Sequence, residues 1–125
     1  MGRVYDTIIS GDKRLHSLFD TGAVHNYITL EAAEGFVRAR LSKPLRVGLG
    51  GKSRTVEESC IVIGELHGNQ IDFLARIVTD IGKDERDREI DVIIGATEMQ
   101  RWNIRIDPKG EKLDLSGFRR EFIEY

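Results

Sequence analysis

The residues best suited to chemistry in this sequence form the tripeptide Asp20-Thr21-Gly22, which follows the apolar pair Leu18 and Phe19. An apolar strand that ends in Asp leaves a carboxylate at the mouth of a sheet. A Thr hydroxyl can lock the turn that follows, and Gly adopts backbone angles that other residues resist. Asp beside Gly is also an ordinary turn signature, so the tripeptide by itself allows both a catalytic loop and a plain turn.

A catalytic carboxylate of this kind needs a second one beside it. Hydrolysis of a peptide bond without a metal or a covalent intermediate requires one group to activate water and another to protonate the amide. Two neighbouring carboxylates that share a proton can do both. The chain has one Asp-Thr-Gly, and Asp91 and Asp107 lack that context. If Asp20 is catalytic, its partner is Asp20 of a second copy, which predicts a two-fold homodimer.

A second motif lies far downstream, at residues 90–96, Ile-Asp-Val-Ile-Ile-Gly-Ala. It reads as a buried strand that stops at Gly95 and leads into a short helix. Together with residues 20–28, Asp-Thr-Gly-Ala-Val-His-Asn-Tyr-Ile, it resembles the retropepsin-like aspartic peptidases, the retroviral and retrotransposon protease family. The order and spacing of the two motifs agree with that family over most of the chain, from about residue 4 to residue 115.

The resemblance implies a fold and an activity. The fold would be all-β with one or two short helices, a small closed β-barrel or sandwich of the acid-protease type, in a single domain over residues 1–125. The activity would be that of an aspartic endopeptidase acting as a homodimer on a peptide or protein substrate, with no cofactor and no metal.

The resemblance also implies roles at the motif that carries Asp20. Asp20 would be half of the water-activating dyad, and Thr21 would bond into the partner's loop. Gly22 and Ala23 would line the cleft and meet the substrate backbone. His25 lies five residues from Asp20, but matching retrotransposon-type sequences carry His there too, so a structural role is expected for it.

Four further residues are expected at the substrate through the same resemblance. Gly50 and Gly51 would lie at the tip of a flap that closes over bound peptide, and Ile94 and Gly95 would support the Asp20 loop beside the cleft. Composition alone leaves a second interpretation of residues 48–53, that of a mobile hairpin tip without a role.

The sequence departs from the retroviral pattern at Val24 and Ala96. Retroviral proteases usually place Asp and Arg at these positions, where the two pair and stiffen the dimer. Both partners are missing together, so no buried charge is left unpaired. The terminal strands or the tail at residues 118–125, with its large apolar side chains, are therefore expected to carry more of the interface.

Alternating apolar residues and turn signals predict mainly strands around these motifs. The predicted strands cover residues 4–9, 15–19, 27–28, 45–49, 60–66, 71–78, 90–94, 103–107 and 112–115. Two short helices are predicted. One begins at Thr29 and carries Leu30, Ala33, Val37 and Leu41 on one face. The other covers residues 97–102.

Composition narrows the class of protein. The 125 residues are 40% hydrophobic and 32% charged with a formal net charge of −2, which is typical of a globular chain and gives no reason to expect nucleic-acid or membrane binding. Cys60 is the single cysteine and is expected to be a buried core residue. With no signal peptide, a cytoplasmic protein is expected. The charged residues 79–89 read as a solvated loop without the spacing of a cation site.

Two alternatives to the peptidase remain open. The first is a non-catalytic or regulatory module that keeps the fold for dimerisation or peptide binding. The second is a small all-β binding protein unrelated to peptidases, which requires both motif matches to be accidental. An intact Asp-Thr-Gly-Ala favours catalysis, because a purely structural loop would not need Asp20.

Overall fold

A computed structural model of the chain describes residues 2–124, and the two ends of the predicted domain, Met1 and Tyr125, lie outside the described residues. The prediction of a mainly β chain is confirmed, because nine strands and one short helix make up the regular structure of the described residues. The elements are β1 Arg3–Ser10, β2 Lys13–Asp20, β3 Tyr27–Thr29, β4 Val37–Leu49, β5 Lys52–Leu66, β6 Asn69–Val78, β7 Val92–Ile94, α1 Ala96–Trp102, β8 Arg105–Asp107 and β9 Lys112–Asp114.

Seven of the strands form one sheet in the order β1-β2-β7-β3-β6-β5-β4. The sheet curls until β1 also pairs with β5 through Ile9 and Glu65, so the strands form a ring compatible with the predicted small closed barrel. The other two strands, β8 and β9, form a separate hairpin.

The short strand β7 lies between β2 and β3, the two strands that flank the loop carrying Asp20. It runs parallel to β2, with Leu18 opposite Ile93, and antiparallel to β3, with Tyr27 opposite Ile93. Since β7 pairs on both sides and is fully buried, it fixes the separation of the two ends of the Asp20 loop.

Two apolar clusters fill the ring. The main core takes the predicted apolar face of β6 together with the helix residues Met99 and Trp102 and the buried, unpaired Cys60. Burial raises the pKa of the Cys60 thiol. The second cluster gathers Leu18 and Tyr27 with residues of β4, β5 and β7 on the side of the sheet that faces the hairpin tip.

The helix predicted from Thr29 across residues 30–41 is wrong. The Thr29 hydroxyl does accept a hydrogen bond from the Ala32 amide at 3.1 Å, but the turn ends at Gly35, where φ is +89°. The Lys13 ammonium donates to the carbonyls of Ala32 and Glu34 and so occupies the acceptors at the end of this turn. From Val37 the chain extends as β4, since backbone pairing with β5 outweighs the helical spacing of the apolar residues.

Other elements follow the predictions closely. The helix, the hairpin at residues 105–114 and the hairpin at residues 60–78 are confirmed. The strand predicted at residues 90–94 is shorter, Val92–Ile94. The tail folds back on its own domain through Phe118, whose ring stacks on Trp102 at 5.6 Å, and through Phe122, whose ring meets Trp102 edge-on at 5.4 Å. Within residues 2–124, no helix is both long enough and apolar enough to cross a membrane.

Candidate active site

Asp20 ends β2 and its carboxylate is held by the turn that follows. One oxygen accepts the amide of Gly22 at 2.8 Å, and the Asp20 carbonyl accepts the amide of Ala23 at 3.1 Å. The Arg3 guanidinium lies 3.7 Å from the other carboxylate oxygen, and the Asp20 side chain is 20% exposed. The carboxylate is therefore oriented by the Gly22 amide while it stays open to solvent.

Thr21 ties the loop to the start of the chain. Its hydroxyl accepts the amide of Gly2 at 2.9 Å, and its own amide donates to the Gly2 carbonyl at 3.0 Å. Within a single chain the Thr21 hydroxyl thus extends the pairing of β1 with β2. The bond from Thr21 into a partner loop, predicted through the family resemblance, stays a prediction.

Asn26 holds the far end of the Asp20 loop in place through hydrogen bonds. This role was not predicted from the sequence. Its buried amide nitrogen donates to the Leu74 carbonyl at 3.1 Å and to the Glu98 carboxylate at 3.0 Å, and its oxygen accepts the Gly95 amide at 2.9 Å. One side chain therefore joins the Asp20 loop to β6, to α1 and to the end of β7. A lone Asn inside a motif carries no sequence signal for contacts 48 to 72 residues away.

Gly95 lies directly behind the Asp20 loop. A Cβ at this position would lie 2.5 Å from the His25 carbonyl oxygen and 2.8 Å from that of Ala23, so any larger residue would push the loop out of place. The next amide, that of Ala96, donates to the Ala23 carbonyl at 2.7 Å. The Asp20 loop and the start of α1 are consequently packed backbone to backbone.

A cleft of about 850 Å³ opens in front of Asp20, between its loop and the β4–β5 hairpin. Of the predicted site residues, Asp20, Gly22, Ala23 and Gly50 line it. Apolar side chains from five parts of the chain also line it, among them Leu18, Tyr27, Val47, Leu49, Ile81 and Ile93. A cleft with an apolar lining and a few polar groups such as the Asp20 carboxylate is typical of a binding site.

The structure corrects the position of Ile94. Its side chain is fully buried in the main core and does not line the cleft. Ile93 lines the cleft instead, because successive residues of a strand face opposite sides of the sheet. Gly95 is likewise buried behind the loop and takes no part in the cleft lining.

The predicted flap is a hairpin of β4 and β5 that turns at Gly50 and Gly51. Their φ angles are +57° and +79°, a left-handed region that glycine enters without strain. Gly50 reaches the cleft, whereas Gly51 is exposed at the tip and is not among the lining residues. The hairpin geometry is confirmed, and closure over a peptide stays a prediction.

A loop between β6 and β7 forms another wall of the cleft through Ile81, Gly82 and Lys83. It is fastened by Asp84, whose side chain is 7% exposed and bonds to the His16 ring nitrogen at 2.7 Å. The charged segment at residues 79–89, predicted to be a solvated loop, is therefore attached to the sheet by one buried side chain.

The Asp84 carboxylate is kept ionised by its surroundings. The backbone amide of Arg88 holds the pKa of this carboxyl below its usual value, and the His16 ring and the amide of Arg86 add to the effect against the opposing effect of burial. The stacked ring of Tyr5, whose centroid lies 5.2 Å from that of His16, covers the pair.

His25 does not occupy the packed structural position expected for it. Its side chain is exposed, lines the cleft, and makes no hydrogen bond to the residues that the structure describes. Elsewhere in residues 2–124, no group of three or more His, Cys, Asp or Glu side chains is arranged to hold a metal ion.

Comparison of the structure with solved structures finds the same architecture in known domains. The retroviral protease-like domain of Ddi1 from Leishmania major matches with a TM-score of 0.64 and 21% sequence identity, over 93% of this chain and 90% of that domain. A foamy viral protease-reverse transcriptase, solved with an RNA/DNA hybrid, matches with a TM-score of 0.52 and 13% identity, over 80% of this chain and 12% of the other.

A second structure of the foamy viral protein, solved with double-stranded DNA, matches with a TM-score of 0.51 and 15% identity, over 84% of this chain and 16% of that one. No protein-family model and no curated protein sequence matches the chain. At these identities the likeness concerns the fold, and on that level the resemblance inferred from the two motifs is confirmed.

Proposed function

We propose that this chain, which has the retropepsin-like fold of those neighbours, is an aspartic endopeptidase that hydrolyses peptide bonds as a homodimer. Asp20 of each subunit supplies one carboxylate of the dyad. One activates the attacking water and the other, holding the shared proton, protonates the departing amide.

The observation that carries this proposal is the position of the Asp20 carboxylate. It lies at the wall of a cleft of about 850 Å³, is oriented by the Gly22 amide, and faces a glycine-tipped hairpin that reaches the same cleft at Gly50. An oriented, solvent-accessible carboxylate opposite a mobile lid is the arrangement that water activation on a bound peptide requires.

A groove of about 640 Å³ supports the homodimer. It lies beside Thr21 and is lined mostly by the start of the chain, α1 and the β8 region, including Gly2, Ala96, Met99, Ile104 and Ile106. A partner that buried this groove would bring its own Thr21 into the same interface, because a two-fold interface joins the same surface on both subunits. The tail residues Phe118 and Phe122 lie outside the groove, so we assign the interface to the segments around Thr21.

The test is cleavage of a diverse peptide library from pH 4 to pH 8 by the wild type and by Asp20→Asn. The variant keeps the shape of the side chain and the bond from the Gly22 amide while it removes the ionisable group. We expect cuts with the wild type and a loss of activity of at least about a thousandfold in the variant, with an unchanged thermal unfolding midpoint. Cleavage by both proteins would refute the dyad. Binding of peptides without cleavage would indicate the non-catalytic module instead.

A further inference from the structure

We propose that Arg76 makes the cleft selective for peptides that carry an Asp or Glu side chain near the site of reaction. The inference rests on the proposed function only in taking the cleft to hold an extended peptide. It concerns the class of peptide that is held and is independent of whether that peptide is cut.

The position of Arg76 follows from strand register. Leu18 lies opposite Ile93, Ile93 opposite Tyr27, and Tyr27 opposite Arg76, so the four side chains form one row across β2, β7, β3 and β6. Residues directly opposite one another share a face of the sheet, and all four line the cleft. The row is therefore an apolar floor with a guanidinium at its far end.

The charges along the cleft favour an anionic ligand. Asp20 is the single acidic residue among the described lining residues, whereas three of them, Arg3, Arg76 and Lys83, are positively charged. Arg3 lies 3.7 Å from Asp20, and Lys83 lies 3.5 Å from Asp87. Arg76 is half-buried, and within residues 2–124 it forms no ion pair.

The acidic residue that shares a small pocket with Arg76 is Glu98, and it already accepts three hydrogen bonds. Glu98 and Arg76 both line a small pocket that adjoins the cleft. The Glu98 carboxylate accepts hydrogen bonds from Asn26 at 3.0 Å, Arg101 at 2.9 Å and the Trp102 indole at 2.7 Å. Within residues 2–124 the Arg76 guanidinium is thus an unpaired planar double donor, and the carboxylate of a bound peptide would match its geometry.

The same register limits where the acidic residue of the peptide lies. Asp20 is two residues from Leu18 on the same face of β2, and Arg76 is three strand spacings from Leu18, at most about 14 Å. An extended peptide advances about 3.3 Å per residue. The two offsets combine to about 16 Å, so the selected Asp or Glu lies within about five residues of the bond that faces Asp20.

The test uses pairs of peptides that differ by Glu or Gln at one position, blocked at both ends so that the side chain supplies the carboxylate. We expect the wild type to prefer Glu by about tenfold or more in kcat/KM at a position within about five residues of the cut. Arg76→Gln should lose the preference, Arg76→Lys should keep part of it, and Arg76→Glu should favour Lys at that position.

Arg38→Gln is the matched control, since Arg38 is exposed on β4 outside the cleft and the substitution changes net charge equally. It should keep the preference for Glu. A preference that survives Arg76→Gln, or its absence in the wild type, would overturn the inference.

A measurement of peptide binding tests this inference separately from the proposed catalysis. Affinities of the same peptides for Asp20→Asn, measured by fluorescence polarisation, do not require cleavage. A Glu preference in binding that depends on Arg76, without cleavage by the wild type, would support the inference and refute the peptidase. Equal binding of Glu and Gln peptides, or neither binding nor cleavage of either peptide, would overturn the inference.

Discussion

At the scale of single residues, the site depends on two positions that do no chemistry themselves. Asn26 satisfies the Gly95 amide and binds to Leu74 and Glu98, so it holds together three segments around the Asp20 loop. Gly95 allows that loop to approach the end of β7 closely. The orientation of the Asp20 carboxylate is thus a consequence of buried backbone contacts behind it.

Gly95→Ala tests this packing. The added methyl group would meet backbone oxygens at 2.5 and 2.8 Å, and backbone atoms cannot rotate away as a side chain can. We expect the free energy of unfolding to fall by about 1–3 kcal/mol, with a loss of peptidase activity larger than the unfolded fraction explains. Chemical denaturation and kcat/KM measure the two effects.

Gly48→Ala is the control for that substitution. A Cβ at Gly48 meets no heavy atom within 4 Å and the position has no positive φ, so the stability should change by less than about 0.5 kcal/mol. A Gly95→Ala variant as stable as Gly48→Ala would contradict the close approach.

At the scale of elements, one wall of the cleft is the loop between β6 and β7. The loop between β6 and β7 supplies Ile81, Gly82 and Lys83 to the cleft, and it is held to the sheet by Asp84 on His16. Asp84 also accepts two amides of its own loop, those of Arg86 and Arg88. This buried carboxylate therefore shapes one wall of the substrate cleft from a distance.

The stabilisation of the fold by the Asp84 carboxylate should depend on pH, and Asp84→Asn tests this. The pKa of Asp84 is lower in the folded chain than its usual value, so the ionised carboxyl stabilises the fold above that usual value, and this stabilisation is lost as the pH falls through the folded pKa. We expect a lower denaturation midpoint for the variant at pH 7, and a difference from the wild type that shrinks below about pH 4. Urea denaturation across this range measures it.

The control on the same loop is Asp87→Asn. Its side chain is 85% exposed and pairs with Lys83 at the surface, so little change in stability is expected at any pH. A difference between Asp84→Asn and the wild type that persists unchanged in acid would show that charge is not what anchors the loop.

At the scale of the whole molecule, a chain with one Asp-Thr-Gly can supply only half of a dyad. The folded chain leaves a groove beside Thr21, while the tail is already packed on Trp102 through Phe118. The tail, which the sequence offered as one place for the interface, packs on its own domain through its described residues Phe118 and Phe122. The proposed dimer therefore depends on the groove.

Mixing subunits tests whether two chains share one site. When equal amounts of wild type and Asp20→Asn exchange freely, roughly a quarter of the dimers contain two Asp20 residues. The cleavage rate should then fall to about half of that of the same amount of wild type alone. Addition of Arg38→Gln instead should not lower the rate. An unchanged rate after exchange, in protein that sedimentation shows to be dimeric, would show that each chain acts alone.

Much of this molecule could be predicted from the sequence because its signals are local. Turn residues mark the hairpins at Gly50 and Gly68, and alternation marks the apolar face of β6, since both depend on neighbours a few residues apart. The Asp-Thr-Gly turn and its distance from the second apolar strand determined the fold class.

Tertiary structure alone decided the features that depend on pairing between distant segments. β7 is apolar on both faces, so no alternation shows that Ile93 rather than Ile94 meets the cleft. Residues 37–41 have helical spacing, but pairing with β5 makes them a strand. The bond from Asp84 to His16 spans 68 residues. Such contacts depend on strand register and on the closure of the sheet, which no short window of sequence contains.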